Sequence, residues 1–435
     1  LSIKGVSIEL WRDNISMKIV IVGAGIACVS AIKAIRLYDK YSEIAVYGEE
    51  PHYPYKRIRL TKDLADGIQE KNLLIEQQSW YEENRVSIYR DARVERIDPA
   101  YHKLILSDGT KVEYTALLLA NGASNSVLPI KGIDKKEVFT LRNLRDAKEI
   151  LEQAGKSQKV LVIGGGILGL EVAWSLVRLG KKVTVVEALP ALMPKQLDRT
   201  AASILQKIVE SHGVVVQTGC QIKEITGDDT VNGFITDQGT HQSCDMVIHS
   251  TGIQPNIELV KDSGILTRQG ILVDERMQTN FSDIYAAGDV AEYRGLVAGL
   301  WSIAAHQGEI AGSNIAGQDR VCEVPVAATV MNAFRFSLFS IGELDDSAAD
   351  CCISGKEEGD RYQKILFKEG KITGALFMGS IRELPSIRKS MEQKCSFPEV
   401  YKRDMQPSEF MTLLKEKQAK KELQPVGAAS KAVYR

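Results

Sequence analysis

Thiol chemistry is scarce in this sequence. Its 435 residues hold seven cysteines, scattered at 28, 220, 244, 322, 351, 352 and 395. None form a C-x-x-C pair and no His/Cys cluster has zinc spacing, which excludes a dithiol motif of that kind and a structural zinc. Thiols so dispersed predict a reducing, cytoplasmic setting without a disulfide framework. An excess of charge is also missing. Fifty-five Lys and Arg against 56 Asp and Glu leave a formal net charge of -1, so neither nucleic acid nor a membrane surface is the expected partner. No apolar run approaches the roughly 18–20 residues of a membrane span. Residues 1–16 carry Lys4, Glu9, Arg12 and Asp13 and no long apolar segment, unlike a signal peptide. Translation is expected to start near Met17, or 1–16 to form a loose extension.

What is present is a plan used twice. "MKIVIVGAGIACVSAIKAI" reads as a buried strand, a glycine turn and a helix, and "KVLVIGGGILGLEVAWSLV" repeats it from Lys159. Each is followed by a strand ending in acid, "EIAVYGEE" and "KKVTVVE". Each then carries an alternating hairpin pattern, with turns at Asp108-Gly109 and Gln238-Gly239. Both copies close on an apolar strand and a small-residue turn, Ala120-Asn121-Gly122 and Ser250-Thr251-Gly252. The order of parts predicts two homologous nucleotide-binding modules of α/β class.

The glycines state the chemistry. In Gly23-x-Gly25-x-x-Cys28, the first glycine allows a tight turn. The second lets backbone approach a pyrophosphate at a helix N-terminus, and the third position wants a small packing residue. Cys28 departs mildly from that rule and reads as a buried packing thiol. The second fingerprint is Gly164-x-Gly166-x-x-Gly169, and Glu187 ends the following strand eighteen residues after Gly169. A carboxylate there accepts the ribose hydroxyls and repels a 2′-phosphate, and no arginine follows in "EALPAL", so NADH is expected over NADPH. In the first module Glu49 and Glu50 are the ribose candidates, Glu50 being the better fit to an ordinary surface acid. "TNFSDIYAAGDVAEY" ends an apolar strand in Ala287-Gly288-Asp289. Read as a strand–helix junction, it sets a carboxylate beside a helix N-terminus, or merely caps that helix.

From about Val321 the pattern changes. "FSLFSIGEL", "YQKILFKEG" and "KITGALFMG" read as short strands, with Glu369-Gly370 as a turn. Cys351-Cys352 falls in a stretch that reads as a loop of ordinary free cysteines. "SEFMTLLKEKQAKKELQP" reads as a lysine-rich helix with a solvated face, stopped near Pro425.

Together these parts resemble the two-dinucleotide-binding flavoprotein reductases, the pyridine nucleotide-disulfide oxidoreductase superfamily, from about Met17 to Gly317. A narrower likeness is carried by "PHYPYKRIRLTK", "GGGILGLEVA", "QLDR", "GILVDERMQT" and "DIYAAGDVAE". It points to NADH-dependent rubredoxin and ferredoxin reductases and to the reductase part of nitrite reductase large subunits. Apoptosis-inducing factor has a related arrangement. The resemblance implies an FAD-binding domain at 17–122 and 252–320, with an NAD-binding domain at 123–251 inserted in it. A small α+β C-terminal domain would follow at 321–400, with extensions at 1–16 and 401–435. It implies that Asp289, after Gly288, holds the ribityl chain of FAD, and that Arg57 and Lys62 contact FAD. It sets Glu49 and Glu50 at the adenosine, and Val94 and Trp301 where family backbone touches adenine and flavin. Gly122 and Gly252, with Thr251, Pro255 and Asn256, match the crossover turns. It further implies a Lys62–Glu171 ion pair near flavin N5.

In many flavin reductases the slot of "PHYPYKRIRLTK" holds a cysteine pair; here it holds none. Electrons are therefore expected to leave the flavin directly, toward a one-electron acceptor such as rubredoxin, ferredoxin or another iron–sulfur protein. The competing readings are an NADH oxidase and a non-enzymatic flavoprotein module like apoptosis-inducing factor.

Overall fold

The computed structural model describes residues 17–323, 326–356, 360–402 and 404–423. The expected N-terminal extension and the stop near Pro425 lie outside the described residues. The described residues fold as two compact units, one within 17–129, 139–155 and 250–323, the other within 130–138, 156–249 and 326–423.

In the first unit five parallel strands lie in the order Ile284–Ala286, Ala116–Leu119, Lys18–Val22, Glu43–Tyr47 and Val86–Tyr89. Central strands of a parallel sheet are covered on both faces, hence the unbroken apolar runs KIVIV and ALLL. Side chains alternate along the first of them. Ile19 and Ile21 share a core with helices Ile26–Tyr38 and Trp301–Ile315, while Val20 and Val22 share one with Val94, Leu104 and Val112. The latter three belong to a three-stranded meander, Val94–Asp98, Lys103–Leu106 and Lys111–Glu113, turned at Gly109 as expected.

The two helices approach to backbone contact. A methyl group added at Gly308 would meet the Ala27 carbonyl oxygen at 2.2 Å, and one at Gly312 the Ala31 oxygen at 2.3 Å. The small-residue face of Trp301–Ile315 is thus a docking face for the helix that carries the first fingerprint.

The second unit repeats the plan. Its sheet runs Val215–Thr218, Lys182–Glu187, Lys159–Ile163, Met246–His249 and Val138–Phe139, with a meander Ile222–Thr226, Gly233–Thr236 and His241–Gln242. Helix Leu144–Lys156, which precedes the second fingerprint strand in sequence, lies in the first unit up to Gly155.

The second unit also contains a five-stranded antiparallel sheet, ordered Ala328–Ala333, Phe336–Gly342, Lys371–Met378, Tyr362–Lys368 and Cys351–Lys356. Three of these strands are the expected ones, and Tyr362–Lys368 and Lys371–Met378 are joined at Glu369-Gly370 by a two-residue turn with both φ values positive. The expected loop at Cys351-Cys352 is instead a strand. Pairing with Phe367 and Leu366 overrides its polar, turn-rich composition. Adjacent strand residues point to opposite faces, so these two thiols do not face one another. The tail helix, Pro407–Leu423, is not an extension. It places Phe410, Met411 and Leu414 in the same core as Phe339, Phe367 and Phe377. Its Lys417 reaches Glu399 at 2.8 Å, so the lysine-rich face is partly engaged rather than wholly solvated.

Within this unit the sheet is tied to the second module by one polar cluster. Asp198 caps helix Arg199–Ser211 through the Ala201 amide at 2.9 Å. Its other oxygen accepts from Tyr362 at 2.7 Å and from the buried Lys364 at 3.1 Å, and Lys364 also reaches Asp346.

Candidate functional site

Both fingerprints form a strand, a glycine turn and a helix. Gly23 and Gly164 hold φ of 102° and 110°, a region that favours glycine. A methyl on Gly23 would lie 2.3 Å from the Ala120 oxygen, and one on Gly169 2.0 Å from the Gly164 oxygen. These glycines serve the chain itself. Gly25 and Gly166 do not: an added methyl meets no protein atom within 4 Å at either. Each is the N-cap of its helix, and neither helix start has a side-chain cap. Open space above uncapped, positively polarised helix ends is the cradle that a pyrophosphate fills. The residues present therefore fit a dinucleotide in each module. Cys28 is fully buried and burial pushes its thiol pKa up, which makes it a packing residue.

In the second module Glu187 is drawn back onto the turn. One carboxylate oxygen accepts from the Gly165 amide at 2.7 Å and the other from Leu189 at 2.8 Å. A methyl at Gly165 would strike Leu192 at 2.6 Å, so the acid and the turn are packed as one piece.

In the first module the residues named from sequence separate into groups. Glu49 is exposed and pairs with exposed Arg93 at 3.2 Å, beside the turn where Ala92 donates to the Gly48 oxygen at 2.9 Å and leads into Val94. Glu50 is the less exposed of the two acids, the reverse of the expectation, because its oxygens are taken by Tyr55 at 2.7 Å and by Arg57. Asp289 accepts from Arg142 at 2.7 Å. Gly288, at φ of 84°, donates to Gln307 at 2.8 Å. No helix starts after Asp289. A turn and the strand Ala291–Tyr293 follow, and the next helix opens at Trp301, so both the cap and the adjacent helix dipole are withdrawn for that acid. The Ala291–Tyr293 strand exists because it pairs with Ile271–Val273, a partner not visible locally. Gly122 and Gly252 flank paired crossover strands, Ala123–Asn125 and Ile253–Pro255, clamped where Asn121 and Asn256 exchange side-chain to backbone bonds of 2.8 Å.

Arg142 was not found from sequence. Besides Asp289 it donates to the Ala123 oxygen at 2.9 Å, its amide is held by Asp146 at 2.7 Å, and its carbonyl accepts from Arg57 at 3.2 Å. Burial raises the Asp146 pKa, against the hydrogen bonds from the Arg142 and Asn143 amides, which lower it. A signal existed: Asn143-Leu-Arg-Asp146 has capping-box spacing, with the arginine just before it. Lys62 is exposed on the short helix Leu60–Asp63 of the first unit, and Glu171 is buried in Ile167–Arg178 of the second.

The family model for pyridine nucleotide-disulphide oxidoreductases matches residues 17–308. The chain belongs to that family. A second model, the rubredoxin NAD+ reductase C-terminal domain, matches residues 328–395. Among the relatives of this chain, a nitrite reductase using NAD(P)H from Bacillus subtilis (strain 168) is 34% identical over 389 residues, 88% of this chain and 48% of the relative. An NADH-rubredoxin oxidoreductase from Clostridium acetobutylicum is 31% identical over 385 residues, 88% of this chain and 97% of the relative. The chain thus spans about half the length of the first relative and nearly all of the second. The crystal structure of NADH:rubredoxin oxidoreductase from Clostridium acetobutylicum superposes with a TM-score of 0.75 at 29% identity, covering 92% of this chain and all of that one. Among the described residues no helix is long and apolar enough to cross a membrane.

Proposed function

We propose that the chain binds FAD in its first unit and NADH in its second module, and passes electrons to a one-electron iron–sulfur or rubredoxin-type protein. The observation that carries this reading is the loop 51–62 without a thiol. Where a disulfide reductase would relay electrons through cysteines, this chain sets Tyr55, Arg57 and Lys62. When bound, FAD accepts a hydride from NADH and releases the electrons one at a time. The chain supplies position and charge. The helix start at Gly25 and the open space above it receive the FAD pyrophosphate, Arg57 adds positive charge, and Asp289 accepts from the ribityl hydroxyls. Glu187 accepts from the NADH ribose and disfavours NADPH. Lys62 favours negative charge on the reduced ring.

The relatives named for rubredoxin support the acceptor class, and the C-terminal domain match extends that support beyond the nucleotide modules. All seven cysteines are free, which supports a reducing compartment, and we place the protein in the cytoplasm. A relative named NADH oxidase, from Methanocaldococcus jannaschii, favours oxygen as a second acceptor.

Anaerobic NADH turnover with rubredoxin and ferredoxin, compared with aerobic turnover without them, separates these readings. Protein-dependent turnover well above the oxygen rate is expected; oxygen as the only effective acceptor overturns the proposal. In stopped flow, Lys62→Ala should be reduced by NADH more slowly than wild type. An unchanged rate and flavin spectrum removes Lys62 from the scheme.

A further inference from the structure

A buried tyrosine at 2% exposure sits where three parts of the first unit meet. Tyr55 Oη donates to Glu50 Oε2 at 2.7 Å, and accepts from Arg57 Nη1 at 2.9 Å and from the Leu144 amide at 3.1 Å. A hydroxyl has one donor and two acceptor sites, and all are filled. The Leu144 amide opens helix Leu144–Lys156, two residues beyond Arg142. Arg57 Nη1 also bonds the Arg142 carbonyl at 3.2 Å, and Arg142 Nη2 holds Asp289 at 2.7 Å. Phenylalanine would fill the same volume, so core packing does not require the hydroxyl. What the hydroxyl adds is a fixed relation between the loop at Glu50–Arg57 and the segment at Arg142–Leu144.

We propose that Tyr55, with Glu50, is a positioning residue for FAD, an inference that rests on the FAD reading above. Glu50 then supports Arg57 instead of accepting from the adenosine ribose, a role left to the exposed Glu49. Through Arg57 and the Leu144 amide, the pair fixes Arg142 and so the orientation of Asp289.

The test uses full-length protein stripped of FAD, with FAD affinity read by flavin fluorescence, the bound flavin absorption spectrum, and the melting midpoint of the apoprotein. Tyr55→Phe, which leaves the Leu144 amide and Glu50 without their hydroxyl partner, should lower the midpoint modestly, weaken FAD about tenfold or more, and shift the bound flavin spectrum. Glu50→Gln should move both flavin readouts in the same direction. Glu49→Gln should weaken FAD without changing the flavin spectrum. Wild-type FAD affinity and spectrum in both Tyr55→Phe and Glu50→Gln overturn the inference and leave the FAD reading standing. Failure of wild type to take up FAD overturns both. If Tyr55→Phe does not fold, Glu50→Gln decides on the same readouts.

Discussion

An added methyl group sorts the glycines of the two turns by what they serve. Gly23 and Gly169 are pressed on backbone oxygens at 2.3 Å and 2.0 Å, whereas Gly25 and Gly166 face open space. Gly23→Ala and Gly169→Ala should cost about 1–3 kcal/mol or more of stability by overpacking. Gly25→Ala and Gly166→Ala should leave stability within about 0.5 kcal/mol, since nothing in the protein is displaced. They should instead weaken the nucleotide of their own module roughly tenfold. Thermal unfolding of apoprotein and titrations with FAD and NADH check this. Equal losses of stability at all four positions would show that none of the glycines is kept for a ligand. The fingerprints were legible because glycine spacing is a local backbone requirement. The different surroundings of Glu49 and Glu50 were not, because Tyr55 and Arg57 turn back onto one of two adjacent acids.

At the scale of elements, helices Ile26–Tyr38 and Trp301–Ile315 of the first unit meet backbone to backbone. The first carries the glycine turn at Gly23 and Gly25 and the second begins at Trp301. Gly308→Ala would place a methyl on the Ala27 carbonyl. It should destabilise the protein by about 1–3 kcal/mol and weaken FAD as well, because Ala27 follows the turn by two residues. Chemical denaturation and FAD titration measure the two effects. Loss of stability with FAD affinity intact would mean that the helix shifts without moving the turn. The small-residue face was readable from the sequence; its partner was not, since residues 39–300, the second nucleotide module among them, lie between the two helices along the chain. The strands at Ala291–Tyr293 and Cys351–Lys356 were missed for a related reason. Each is short and exists by pairing, the first with Ile271–Val273 and the second with its neighbour Tyr362–Lys368, so local propensity gives no warning.

At the scale of the whole molecule, the C-terminal sheet shares its compact unit with the second module, held in part by Lys364 between Asp198 and Asp346. Burial opposes the charge on both Asp198 and Lys364. Hydrogen bonds and opposite charge more than offset it, so the Asp198 pKa is lowered and the Lys364 pKa is raised. The lowered carboxyl contributes stability that is present above the ordinary carboxylate range near 3.8 and is lost as pH falls through its folded value. The raised amine contributes stability that is present below about 10.4 and is lost as pH rises past its folded value. The link should be indifferent to pH between about 5 and 9 and should weaken in acid. Lys364→Met, which leaves Asp198 without its cation, should cost about 2 kcal/mol near neutrality. The variant should lose less further stability than wild type between pH 5 and 3. Denaturant midpoints across that range decide it; parallel acid profiles would show that the cluster carries no linked charge.

What the sequence determined by itself is local: where backbone must turn through positive φ, which strands are apolar enough to be covered on both faces, and which acid ends the strand after a glycine turn. Those features depend on residues within one strand–turn–helix unit. That is why two nucleotide modules and their order were readable from spacing, and why the motifs carried a resemblance to a known family. Only the tertiary structure decided which side chains share a site. Arg142 and Asp289 are 147 residues apart and meet at 2.7 Å. Tyr55 joins a loop to a helix start 89 residues away. Contacts of that span are set by how strands are ordered in the sheet and how crossovers return to it. No local pattern encodes that geometry, so Arg142 and the partners of Tyr55 were the last to be seen.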